Sequence, residues 1–166
     1  ADAVRQVTEA GVMNGVGEEN FCPDSGLPRA AFAQILFNLK GNPSSAAENP
    51  FCDVAADAWY APAVIWSAAE GIVKGCDEEN FVPAAEISRE QLAVMLYRYA
   101  GSPYTGGNLN SFSDALAAGE YAEEALCWAV EQGIINGDEN GALNPGGTVT
   151  RAQTAQIISR YIKLQP

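Results

Sequence analysis

Val149-Thr150-Arg151-Ala152-Gln153 is written three times in this chain. It recurs as Ile87-Ser88-Arg89-Glu90-Gln91 and, in degraded form, as Leu27-Pro28-Arg29-Ala30-Ala31. The arginines lie 60 and then 62 residues apart. Self-similarity at a period of this size marks a repeat architecture, in which each unit buries its apolar face only by packing on its neighbours.

The residues around the motif keep the same spacing. Phe32, Ile35, Leu36 and Leu39 recur at helical intervals and predict a helix over 29–40. Leu92, Met95, Leu96 and Tyr99 do the same for 88–100, and Ile157, Ile158 and Tyr161 match the last three of them. A helix over 1–13 carries Val4 and Val7, and a helix over 60–70 is closed by Gly71 as a C-cap. Trp66 and Gly71 return as Trp128 and Gly133, and Pro83 returns as Pro145. Segments 41–50 and 101–110 are rich in Gly, Pro, Ser and Asn and read as linkers. The expected units are 1–43, 44–103 and 104–166, and the first lacks an opening segment that the others share. That segment is Phe51-Cys52-Asp53-Val54 with Trp59, and Phe112-Ser113-Asp114 with Tyr121. The expected fold is all-α, with six helices packed about a pseudo-threefold axis into one compact unit.

Ser88 with Gln91 and Thr150 with Gln153 are capping boxes, so starting a helix accounts for them. The arginine is different. It stands at the first helical position, where a cation opposes the helix dipole. An arginine beside a helix N-terminus offers a bidentate donor to a carboxylate or phosphate; the competing expectation is an ion pair with Asp53 or Asp114. Those two aspartates fit an Asx-turn or N-terminal cap as readily as a ligand contact. Trp59 and Tyr121 fit either the core or a stacking face for a sugar ring.

A formal charge of −12 with no His argues against nucleic acid and against an anionic membrane surface. No apolar run approaches the ~20 residues of a membrane helix. Without His there is no Ser-His-Asp or Cys-His arrangement, so no enzyme, metal site or cofactor is expected. Asp138-Glu139-Asn140-Gly141 lacks the ligand ladder of a calcium loop and reads as a turn. Cys22, Cys52, Cys76 and Cys127 fall at four different repeat positions, which favours space-filling roles over zinc or disulfides. With no initiator Met and no leader, the chain is expected to be a processed piece of a longer protein.

Phe51-x-Asp53-Val54…Trp59…Gly71-Ile72-Val73-x-Gly75…Phe81-x-Pro83…Ser88-Arg89-Glu90 resembles the S-layer homology domain. The third unit repeats the pattern through Thr150-Arg151-Ala152-Gln153. The resemblance spans the chain as three tandem copies, the first incomplete, and implies a three-sided helical prism with ligand grooves between repeats. It also implies an extracellular module that anchors an attached cargo domain to the bacterial cell wall. Its partner would be a secondary cell-wall polysaccharide, commonly pyruvylated. The residues it implicates are Arg29, Arg89 and Arg151, the cap hydroxyls of Ser88 and Thr150, Asp53 with Trp59, Asp114 with Tyr121, and the loop glycines Gly15, Gly75 and Gly137. Of the three grooves, the one served by Arg89 is the favoured site, and Arg29, whose cap and opening segment are lost, is the weakest. The alternative is an S-layer homology fold that has lost polymer binding and serves as a structural or protein-interaction module.

Overall fold

The computed structural model describes residues 2–16 and 20–165. They form α1 (Asp2–Glu9), α2 (Arg29–Leu39), α3 (Ala61–Ala69), α4 (Arg89–Tyr99), α5 (Glu123–Glu131) and α6 (Arg151–Leu164). Two 3-10 turns, Ala115–Ala117 and Glu120–Ala122, precede α5. Among the described residues only isolated β-bridges occur, so the chain is all-α as expected. The first helix is shorter than 1–13. Gly11 adopts φ 68°, and the N–H groups of Val12 and Met13 both turn back to the Val7 carbonyl. Gly71 and Gly133 close α3 and α5 at φ 70° and 67°, a conformation that costs glycine little.

The helices pair across the expected unit boundaries, as units that bury their apolar faces on one another require. Thus α2 packs on α3, α4 on α5, and α6 on α1, and the last pair joins the two ends of the chain. Aromatic complementarity explains the first two pairs. Phe37 meets Trp66 with ring centres 5.6 Å apart, and Tyr97 meets Trp128 at 5.5 Å. The corresponding contact between α6 and α1 is polar, with the Ser159 hydroxyl donating to Gln6 Oε1 at 2.7 Å. Beside these contacts, Tyr99 and Tyr161 stack edge-on at 6.0 Å and tie the pairs into one core.

The three copies of the motif meet in a closed ring. Leu27 N–H donates to the Val149 carbonyl (3.0 Å), Val149 N–H to Ile87 (3.1 Å), and Ile87 N–H to Leu27 (2.8 Å). All three side chains are fully buried. A second cycle surrounds the first, in which the backbone N–H groups of Arg29, Arg89 and Arg151 donate to the carbonyls of Ala85, Gly147 and Ser25. The next N–H groups, those of Ala30, Glu90 and Ala152, donate to Pro83, Pro145 and Pro23. Helices start with orphan N–H groups that need acceptors. Here the neighbouring units supply them.

The capping boxes form as expected: Ser88 Oγ accepts from Gln91 N–H and Thr150 Oγ1 from Gln153 N–H, both at 3.2 Å, and each glutamine returns the bond. Pro28 offers no such acceptor to α2. With their leading N–H groups spent on neighbours and caps, α4 and α6 do not present the free anion-binding N-termini that the sequence suggested.

Truncating Ile87 to Ala should remove about 2–5 kcal/mol of stability through a cavity at the ring. Ser88→Ala should cost about 1 kcal/mol through the lost cap. Urea unfolding followed by circular dichroism would read both, and equal costs would contradict the central role of the ring.

Candidate functional site: two grooves built from equivalent positions

The larger groove encloses about 660 Å³ and is lined by Asn14, Gly15, Gln34, Asn38, Trp59 and Arg151 among others. The second, about 500 Å³, is lined by Arg29, Lys74, Gly75, Gln91, Arg98 and Tyr121 among others. The two are the same place in different units. Residues 14, 15 and 38 of one correspond to 74, 75 and 98 of the other, and Trp59 corresponds to Tyr121. Each groove therefore draws its arginine from one unit, its glycine loop and a helix face from a second, and its aromatic from the third.

Arg29 and Arg151 are 6% and 7% exposed. Arg29 Nε donates to the Phe81 carbonyl at 3.0 Å, and its guanidinium lies 4.8 Å from the centre of the Phe81 ring. Arg151 repeats this with Phe21, at 2.7 Å and 4.8 Å. A second nitrogen of each reaches a loop carbonyl, that of Lys74 for Arg29 and that of Asn14 for Arg151. Among the described residues no carboxylate lies within ion-pair distance of either guanidinium. The expected ion pair with Asp53 or Asp114 is not made, and burial pulls the Arg151 pKa below its usual value.

Both aspartates do a different job. Asp53 accepts from the N–H groups of Phe81 (2.8 Å) and Val82 (2.7 Å), and Asp114 accepts from Leu143 and Asn144 (both 2.7 Å). Val82 and Asn144 have φ 57° and 52°, a left-handed conformation that a fixed acceptor helps hold. Neither aspartate lines a groove, and neither makes the local Asx-turn or helix cap that the sequence suggested. They pin a loop 28–30 residues away. The cap hydroxyls of Ser88 and Thr150 are likewise occupied by their helices.

The loop glycines answer to packing. A Cβ on Gly75 would lie 2.1 Å from the Asp77 carbonyl oxygen, and one on Gly137 would lie 2.6 Å from the Phe112 ring. Gly15 and Gly75 also form part of the two groove walls.

Trp59 and Tyr121 stand out from the core, 66% and 58% exposed. Trp59 packs edge-on against Tyr60. The Tyr121 hydroxyl donates to Glu90 Oε1 at 2.8 Å, while Gly119 N–H donates to the other oxygen at 2.9 Å. Burial, then Glu90, raises the Tyr121 pKa far above its usual value, so the phenol stays a donor.

Arg89, the favoured arginine in the sequence, lines neither of these grooves. Leu143 stands where Phe21 and Phe81 serve its counterparts. The charges of Asp138 and Asp114 act on Arg89 and partly offset the pKa depression that burial causes. Asp138 itself closes a turn, accepting from the N–H groups of Asn140 and Ala142. Asp114 and Asp138 thus act on Arg89 from beyond ion-pair distance, and among the described residues none of the three arginines is ion-paired.

The sequence reading passed over Asn38, Arg98 and Arg160. They donate to the carbonyls of Val12, Ile72 and Ile134 at 3.1, 3.4 and 3.1 Å, tying each loop to the second helix of its own unit. Their spacing of 60 and 62 was the available signal. The cysteines are all free thiols, and only Cys127 is a buried space-filler; Cys52 and Cys76 are exposed, and Cys76 lies in the second groove.

Bonds from Leu143 and Asn144 N–H hold the Asp114 carboxyl below the ordinary value near ~3.9. Its ionised form therefore adds stability above that pH, and the contribution is lost as pH falls through the lower folded value. Thermal melts of Asp114→Asn should show a lower Tm than the parent near pH 6, with the gap closing at the acid end. A gap independent of pH would contradict the clamp.

The profile of the S-layer homology domain matches residues 50–93 and 111–155, two regions rather than three. The chain is 34% identical to the Surface-layer 125 kDa protein of Lysinibacillus sphaericus, covering 98% of this chain and 14% of that protein. It is 29% identical to S-layer protein sap of Bacillus anthracis over 74% of this chain and 15% of the relative. It is also 27% identical to an amylopullulanase of Thermoanaerobacterium thermosulfurigenes, over 95% of this chain but only 9% of the enzyme. The chain thus spans less than a fifth of the length of each of these relatives. The matched regions take in more than half of the chain, together with the Phe-x-Asp openings and the arginine motifs of both. The chain belongs to the S-layer homology domain family.

Proposed function

We propose that this chain is a non-covalent anchoring module of the bacterial cell surface. It binds an anionic secondary cell-wall polysaccharide through the grooves of Arg29 and Arg151, and it holds to the wall whatever the rest of a longer protein carries. The three motif copies are read as three S-layer homology repeats, 1–43, 44–103 and 104–166, closed into a pseudo-threefold prism. The ring of backbone bonds supports that closure. Relatives named as surface-layer proteins support the extracellular setting.

One observation carries the reading: two buried guanidinium groups, each in a groove wall, have carbonyls and a Phe face for company but, among the described residues, no carboxylate at ion-pair distance. Burying an uncompensated charge is costly, and a ligand carboxylate in the groove would offset that cost. The carboxylate of a pyruvyl ketal is such a group, and the planar guanidinium suits it. Trp59 or Tyr121 then offers an apolar face to the attached sugar ring. A chain of charge −12 repels polyanions in general, so binding depends on local fit and gains selectivity.

The second reading, a fold that has lost polymer binding, draws on the same arginines, since their bonds to loop carbonyls already give them a structural task.

Co-sedimentation with purified cell walls separates the two. Trp59 and Tyr121 are exposed, so Trp59→Ala and Tyr121→Ala should fold normally and weaken binding by about tenfold each, the equivalent of about 1.4 kcal/mol. Arg151→Gln should weaken it further, with folding checked by circular dichroism. Binding that withstands all three changes in folded protein would refute the groove mechanism and favour the second reading.

A further inference from the structure

The two grooves share a plan but not a charge. At the three positions where the larger groove has Asn14, Ala31 and Asn38, the second has Lys74, Gln91 and Arg98. With Arg29, the second groove thus gathers three of the nine Lys and Arg side chains of the protein. Arg98 spends one nitrogen on the Ile72 carbonyl at 3.4 Å, and Lys74 is exposed at the rim. Glu90, which holds the groove residue Tyr121, has both oxygens engaged by Tyr121 and Gly119. In the larger groove Arg151 is the sole charged lining residue among the described residues, surrounded by the amides of Asn14, Gln34 and Asn38 and by the exposed face of Trp59. Amides and an indole suit a sugar with hydroxyl groups and little charge. Two guanidinium groups and an ammonium suit a group with two negative charges.

We infer that the grooves take chemically different units of one polymer: a doubly anionic sugar in the Arg29–Lys74–Arg98 groove and a singly anionic sugar in the Arg151–Trp59 groove. Lys74 is the residue that separates them. This rests on the anchoring reading and goes beyond it, because equivalent grooves would serve a uniform polymer equally well.

Glucose 6-phosphate and glucuronate form a matched pair of probes, a glucose-type ring carrying a dianionic or a monoanionic group. Titrated into the whole ¹⁵N-labelled chain, glucose 6-phosphate should move the amides of residues 73–76 and 98. Glucuronate should move the Trp59 indole N–H and the amides of 13–16. Lys74→Asn should weaken glucose 6-phosphate in the second groove by about tenfold, the loss of one favourable charge contact at a partly solvated site. Asn14→Lys should bring that probe into the larger groove. Both probes shifting both grooves alike, no response to Lys74→Asn, or no shift from either probe would overturn the inference. Wall co-sedimentation of the parent chain is the control: if it persists while the probes fail to divide, the anchoring reading stands and only the division falls. If it is lost, the anchoring reading falls first.

Discussion

Three backbone hydrogen bonds, Leu27 to Val149 to Ile87 and back to Leu27, join the start, middle and end of the chain. Everything at the candidate site depends on that ring. It fixes where α2, α4 and α6 begin, and the second cycle of bonds uses up their first N–H groups. With the backbone donors spent, the arginine side chain is the positive group that each of these helix starts still offers. The ring also aims that side chain across the boundary, so Arg29 reaches the loop of the second unit and Arg151 the loop of the first.

The repeat logic makes the departures between units informative. Two boundaries are packed by aromatic pairs, and the third by Ser159 and Gln6. Two arginines lie on a Phe ring with no carboxylate at ion-pair distance among the described residues, while Arg89 is influenced by Asp114 and Asp138. The tyrosine that replaces tryptophan in the third unit coincides with Glu90, which holds its hydroxyl; the residue corresponding to Glu90 beside Trp59 is Ala30, and an indole needs no such partner there. These paired changes are what local physical consistency requires, since a phenol hydroxyl gains an acceptor and an indole face does not lose one.

Much of the fold was legible in the sequence because it is written in local signals. Periodic apolar residues gave the helices, glycine gave their ends, and Ser88-x-x-Gln91 and Thr150-x-x-Gln153 gave two starts that formed as read. The site was legible only in part. Gly15, Trp59 and Arg151 lie far apart in sequence and meet because the chain closes on itself, which spacing alone does not reveal. For the same reason Arg29, in the most degraded copy, serves a groove while Arg89, in the best-preserved copy, lines neither. A motif reports the unit that carries it, but each groove belongs to three units. The clamp made by Asp53 and Asp114 was not legible because their partners are main-chain N–H groups 28–30 residues away, a contact that leaves no side-chain pattern.

The central claim is that Arg29 and Arg151, buried with no carboxylate at ion-pair distance among the described residues, take an anion from the wall polymer. The side-chain Nε–H resonances of the ¹⁵N-labelled chain, followed while solubilised wall polysaccharide is added, test it most directly. Those of Arg29 and Arg151 should shift together with binding while that of Arg89 stays in place. A polymer that binds while leaving both unmoved, or that moves Arg89 instead, would contradict it.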